Sequence, residues 1–276
     1  MDLLTLWPIA LGLTAVLALF AFVNHRLYKK NKILRYHLGL ERLSLFRHLL
    51  AAMQQHRGLC NGYLNGDTSL LKRIESLQRN IDQHIKLILD CETDAAWIRN
   101  NELWMGIEDH WGRLSVHFKH GDSSSNLNQH NSIISDLLYL IEECAENHQL
   151  QELAINPNLP AAFLWQQLLY SAEYIGQARA IGTGIAAAGM STSVQRIKLN
   201  FLQTRIQELL NTSELQSVEG DINKLIKAIN QHILLDKPDV AADEYFNLAT
   251  HTLNQVLERF DYFVRQLVDG VGKGGL

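Results

Sequence analysis

The stretch QHRGLCNGYLNGD, residues 55–67, decides how this chain is read. It lies where apolar residues recur every three or four positions, the period of an amphipathic helix. Yet it carries Gly58, Gly62 and Gly66, a glycine at every fourth position. Glycine in a helix interior costs about 0.5–1 kcal/mol relative to alanine. Three at helical spacing form a bare stripe, with a lone arginine, Arg57, beside it. Gly66 reads as a helix stop, and Asp67, Thr68 or Ser69 as the cap of the next helix.

Outward from this stretch the helical period continues almost without break. A first helix is expected from about Ile33 to Asn65, and a second from the caps to Asp90 or Thr93. A third covers about Ala95 to Phe118 and ends at HGDSSSN. A fourth, NQHNSIISDLLYLIEECAENHQLQEL, stops before NPNLP, where Pro157 and Pro160 forbid continuation. Pro160 suits the first turn of a fifth helix reaching about Ala188. Ser191–Thr192–Ser193 start a sixth to about Leu210, a seventh ends near Asp236, and KPDVAADEYF opens an eighth to about Val268. Short links between eight helices predict an all-α fold of two tandem up-and-down four-helix bundles. The expected divisions are 30–155 and 156–268, with a frayed tail at 269–276. No strand signal appears.

The N-terminus has a different character. Leu3–Val23, LLTLWPIALGLTAVLALFAFV, is uncharged and long enough to cross a bilayer core of about 30 Å. Asp2 precedes it, whereas Arg26, Lys29, Lys30, Lys32 and Arg35 follow it, the reverse of a cleavable signal peptide. The positive-inside rule then places the rest of the chain in the cytoplasm. Residues 1–29 are expected to anchor the protein once in the inner (cytoplasmic) membrane.

With 276 residues, 47% hydrophobic and 20% charged, the chain can bury a sizeable core. Its net charge of −4 argues against nucleic acid as a partner, since phosphate binding needs a concentrated basic surface. Cys60, Cys91 and Cys144 are odd in number and in no CxxC or Cys/His ligand pattern, as expected of reduced, mostly buried thiols.

The opening stretch recurs. QHRGLCNGYLNG (55–66) aligns without a gap with QARAIGTGIAAA (177–188), 122 residues on. Gln55 matches Gln177, Arg57 matches Arg179, Asn61 matches Thr183 and Gly62 matches Gly184. Each bundle therefore opens with a helix bearing Gln-x-Arg-small and a small residue at every fourth position. Such a face lets two helices approach closely, a device best known in membranes. Neither arginine has an acidic neighbour at i±3 or i±4: those positions are Met53, Gln54, Cys60 and Asn61 for the first, Ile175, Gly176, Gly182 and Thr183 for the second. A buried arginine needs an anionic partner. That partner is either a glutamate from another helix or a small bound anion, which the guanidinium fork suits well.

At these residues the chain resembles the nitrate- and nitrite-sensing (NIT) domain family. QQHRG (54–58) is similar to the Gln-x-x-Arg-Gly motif of that family's first helix, and GQARA (176–180) to its Gly-Gln-x-Arg-Ala motif. DEYFNLATHTLNQVLERFDYFV (243–264) resembles its closing pattern of an aromatic pair, a threonine and an amphipathic helix. The likeness spans roughly residues 40–265. It implies helical bundles holding nitrate or nitrite between the first and fifth helices through Arg57 and Arg179, with Gly58 and Ala180 allowing close approach. Gln55, Gln177, Asn61 and Thr183 are the candidate neutral donors. His56 stands where many members have glutamate, and the output module usual in the family is not seen, so either a signalling protein acting in trans is the partner or sensing is lost and a structural role remains.

Other patterns lead elsewhere. GTGIAAAG (182–189) mimics a dinucleotide-binding turn, but a helix rather than a strand precedes it. Of the twelve histidines, His110, His117 and His120 cluster, without an HExxH or a Glu-x-x-His pattern, as expected of surface side chains. Nothing orders Ser, Cys and His into a nucleophile–base pair, so neither an enzyme nor a cofactor is expected. Trp97, Trp104 and Trp111 recur every seven residues and read as a packed stripe, a homodimer seam being the alternative. The leading reading is a membrane-anchored nitrate or nitrite sensor; the second is an anchored helical scaffold with both arginines paired internally.

Overall fold

A computed structural model describes the backbone at residues 3–91, 95–211 and 213–272, and the side chains at 11–91, 96–211 and 214–272. The chain is all-α apart from one small hairpin. Its first helix, α1, runs unbroken from Leu3 to Leu64, joining the apolar segment to the helix expected from Ile33. Residues 24–38 contain neither glycine nor proline, so nothing halts helix propagation across the basic flank. Side chains 11–31 are exposed, packing begins at the half-buried Ile33, and Tyr36 is the first buried residue, its hydroxyl donating to Glu152 at 2.8 Å. The stretch from Leu11 is long and apolar enough to cross a membrane, with a mean hydropathy of 1.4 in its best window.

Gly66 ends this helix at φ +111°, and Asp67 accepts from the Ser69 amide to start the turn into α2 (Leu71–Asp90). Thr93, the other expected end of α2, lies outside the described residues. The expected third helix is two, α3 (Ala95–Arg99) and α4 (Glu102–His117), because Asn101 turns extended and caps Trp104 N at 3.0 Å. α5 (Ser123–Asn147) starts earlier than expected: Asp122 caps Ser125 N, so the serines read as a stop form the first turn. Trp104 and Trp111 are buried and Trp97 half-buried, so the tryptophan stripe is core.

The junction corrects the reading of no strands. Ala154–Asn156 (β1) pairs antiparallel with Leu159–Pro160 (β2), which moves Pro160 out of the following helix. A π-helical turn, Leu164–Leu168, then leads into α6 (Leu169–Ala188), which stops at Gly189 with φ +66°. α7 (Ser193–Gln207) opens on a Thr192/Gln195 capping box, followed by α8 (Gln216–Ala228) with a π turn to Ile233, and α9 (Ala242–Gly272). α9 continues through the expected frayed tail as far as Gly272, because Val271 still packs into the core.

α1 packs on α2 and α5, and α5 on α4; α6 packs on α7 and α9, and α9 on α8. One apolar core spans both bundles, and a smaller separate cluster of Leu59, Cys60, Ile74 and Phe118 lies at the end of α1. The bundles meet where α1 crosses α6 and α9, which sets the two copies of the repeat against each other.

Candidate functional site

Arg57 and Arg179 are both buried, at 0% and 2% exposure. Each reaches across the helix crossing to the other copy of the motif. Arg57 lies against Gly176, where a Cβ would sit 2.8 Å from its Nη2; Arg179 lies against Gly58, whose Cβ would sit 3.8 Å from its Nη2. The absent side chain of Gly176 makes room for the Arg57 guanidinium, and that of Gly58 for the Phe246 ring, 3.3 Å from where its Cβ would sit, which differs from the expected backbone-to-backbone contact. Gly62 makes room for Leu70 of the next turn instead, and Gly66 supplies the positive φ of the helix end. The three glycines of the opening stretch thus have three separate causes.

The partners of the two arginines are unequal. Arg57 forms a two-pronged pair with Glu173 of α6, Nη1 to Oε1 at 2.5 Å and Nη2 to Oε2 at 3.1 Å, and also donates to Asn131 Oδ1 at 2.7 Å. Glu173 further accepts from Gln54 at 2.9 Å and Gln177 at 2.8 Å. Arg179 has no carboxylate in ion-pair range among the described residues. It donates to Thr250 Oγ1 and to the Gln54 carbonyl, both at 3.0 Å, and lies over the Phe246 ring at 5.0 Å. The buried Tyr245 ties α9 to α6 next to Arg179 by donating to Ala178 O at 3.0 Å. Burial, with the Arg57 charge beside it, brings the Arg179 guanidinium down to about 10, so it stays charged at neutral pH.

The cluster therefore holds two buried cations and one buried carboxylate. The Nε–H groups of both arginines lack a partner among the described residues. Unpartnered buried donors and an unbalanced charge each cost free energy. Together they suit an anion with several acceptor oxygens.

The other sequence candidates divide. Gln177 is in the network through Glu173. Asn61 is buried, donates to Ala180 O at 3.2 Å and accepts from Ser123 at 2.6 Å, tying α1 to α6 beside Ala180. The buried Thr183 hydroxyl has no partner among the described residues. Gln55 is exposed, whereas its neighbour Gln54 is buried, donates to Glu173 and accepts from Arg179 through its carbonyl. Two positions before an arginine lies well round the helix from it; three positions lies on its face. A cleft of about 720 Å³ opens beside the cluster, lined by Asn61, Asn131, Gln177, Ala180 and Lys198 among others. The guanidiniums do not line it; they sit one layer behind Asn131 and Gln177.

Glu173, Gln54, Asn131, Phe246 and Thr250 were not foreseen as contacts, although Phe246 and Thr250 fall in the closing stretch quoted above. Of the clustered histidines, His117 and His120 are exposed, as read, and His110 is half-buried and bonded to Gln129 at 2.6 Å, whereas His56, His130 and His148 are buried.

Residues 48–258 match the family described as nitrate and nitrite sensing. Among solved structures, that of the NasR transcription antiterminator is similar at 15% identity and a TM-score of 0.69, over 93% of this chain and 74% of that one. No curated protein matches the sequence.

Proposed function

Because the chain belongs to the nitrate and nitrite sensing family, we propose that it binds nitrate or nitrite between Arg57 and Arg179 and does not transform it. The observation that carries this reading is the charge imbalance: of two buried guanidiniums, Arg57 is paired with the one carboxylate, Glu173, and Arg179 with none among the described residues. A bound monoanion makes the cluster neutral and supplies acceptors to the two free Nε–H groups. Glu173 is then its internal competitor. The anion draws Arg57 off Glu173, and the α1–α6 crossing shifts, a population shift of two helical halves about a common core. Asn131 and Gln177 link the cluster to the cleft and form the way in. Residues 3–23 anchor the protein in the cytoplasmic membrane, bulk of the chain inside, and a protein in trans reads the change.

The Arg57–Glu173 pair favours a second reading, an anchored scaffold whose first arginine is satisfied internally. Thermal denaturation of the full chain in detergent, with nitrate, nitrite or chloride, separates the two. A specific ligand at 100 times its Kd stabilises by about 2.7 kcal/mol. Stabilisation by nitrate or nitrite but not chloride, lost in Arg179→Gln, supports the sensor. Equal behaviour of the three salts sinks it.

A further inference from the structure

Next to the arginine cluster, and not used by it, lies a compact group of sulfur and imidazole ligands. His56 and Cys60 stand one turn apart on α1, and His130 faces them from α5. Their ligand atoms lie within 4.8 Å of one another and all three side chains are buried. His56 Nδ1 and His130 Nε2 are 2.8 Å apart, and Cys60 Sγ is 3.5 Å from His56 Nδ1. We propose that His56, Cys60 and His130 form a three-coordinate binding site for a soft monovalent metal cation, Cu(I), independent of the anion site.

The chemistry of the donors selects the ion. Thiolate with imidazole prefers soft or borderline cations, of which Cu(I) and Zn(II) are the common cases. Charge and coordination number then decide. Cu(I) with one thiolate and two neutral imidazoles is uncharged, which suits a pocket walled by Trp111 and Phe118, whose ring centroids lie 4.9 and 5.8 Å from His56. Zn(II) in the same place leaves one positive charge beside an arginine cluster already in excess. It also seeks a fourth ligand, and no further histidine, cysteine or carboxylate joins the group among the described residues.

The outer contacts are in place. His130 donates Nδ1–H to Asn126 O at 2.8 Å, the kind of second contact that orients metal-binding histidines and leaves Nε2 free to ligate. Bonds of about 2.1 Å to nitrogen and 2.3 Å to sulfur put trigonal ligand atoms about 3.6–3.8 Å apart, so the imidazoles must part by less than about 1 Å. The reaction balances as Cu(I) plus thiol giving Cu–thiolate plus one proton. The His56 ring proton moves from Nδ1 to Nε2 and gives up the long 3.3 Å contact with Gln78.

The test uses the full chain in detergent under anaerobic, reducing conditions, titrated with Cu(I) against a chromogenic Cu(I) chelator. One ion per chain is expected, with one proton released. X-ray absorption at the copper edge should show two nitrogens and one sulfur. Cys60→Ser and His130→Gln should each weaken binding by more than the about 10–100-fold that losing an outer-shell partner costs, while Cys91→Ser changes nothing. No competition with the chelator, a shell without sulfur in the wild type, binding that survives Cys60→Ser, or preference for Zn(II) each overturns the proposal. The wild-type absorption edge decides even if a variant fails to fold.

Discussion

Replacing Glu173 by glutamine separates a structural from a sensing role for the arginine cluster. The carboxylate accepts four hydrogen bonds, two from Arg57 and one each from Gln54 and Gln177. A glutamine keeps one acceptor oxygen and turns an NH₂ toward the remaining donors. Two buried guanidiniums then have no counter-charge. Removing one partner of a buried pair costs about 3–5 kcal/mol, and for a chain of this size that lowers Tm by about 6–20 °C. If an anion occupies the place Glu173 contests, nitrate supplies the missing charge. The variant should then gain more stability from nitrate than the wild type does, at equal concentration, in thermal melts of the full chain followed by circular dichroism. A loss under about 1 kcal/mol, the range of an exposed pair, would refute the buried-charge argument. A full loss that nitrate does not relieve would refute competition between Glu173 and the ligand.

Other expectations concern the surrounding packing. Gly182→Ala places a Cβ 2.3–2.6 Å from the Tyr245 ring, a clash costing about 1–3 kcal/mol. At Gly184 the nearest atom is 3.5 Å away, so alanine there should stabilise by up to about 1 kcal/mol; urea midpoints that move the same way in both contradict the contact geometry. Burial pushes the His130 imidazole down to about 3, helped by Arg57 and His110, and lowers His56 in the same sense, helped by His130. Their neutral forms therefore favour the fold above the unfolded pKa of about 6.5, and that stability is lost as pH falls, by about 1.4 kcal/mol for His130 one unit lower. Chelator-treated protein should show a shallower acid loss in His130→Gln than in wild type, by urea titration at pH 7.5 and 5.5. Trp104, fully buried beside Phe46, should cost about 3–5 kcal/mol when cut to alanine, read by the same melts.

Much of this architecture is written locally. Apolar period and glycine or proline stops place α2, α6 and α9, and Gly66 and Gly189 end their helices by needing positive φ. What local reading misses are events decided by a single side chain or by long-range packing. Asn101 divides a periodic segment by capping, and no pattern distinguishes it from Asn100 beforehand. Leu159 and Pro160 pair as a strand because Leu153–Asn156 lie opposite. The two arginines were legible from the repeat, because a symmetry in sequence survives as a crossing of two helices. Glu173 was not: it is 116 residues from Arg57 and six before Arg179, outside any local window. Gln54 was passed over for Gln55 because a gapless alignment matches letters, while the helix turn decides which of them faces α6. His56 and Cys60 stand one turn apart, but their third companion comes from α5, so spacing alone carried no ligand pattern.

Calorimetric titration of nitrate into the full chain tests the central claim most directly. One site per chain for nitrate or for nitrite titrated in the same way, and none for chloride, is the predicted result, with the heat lost in Arg179→Gln although that variant keeps its helical circular dichroism. Absence of heat in the wild type, or an isotherm unchanged by Arg179→Gln, would contradict it.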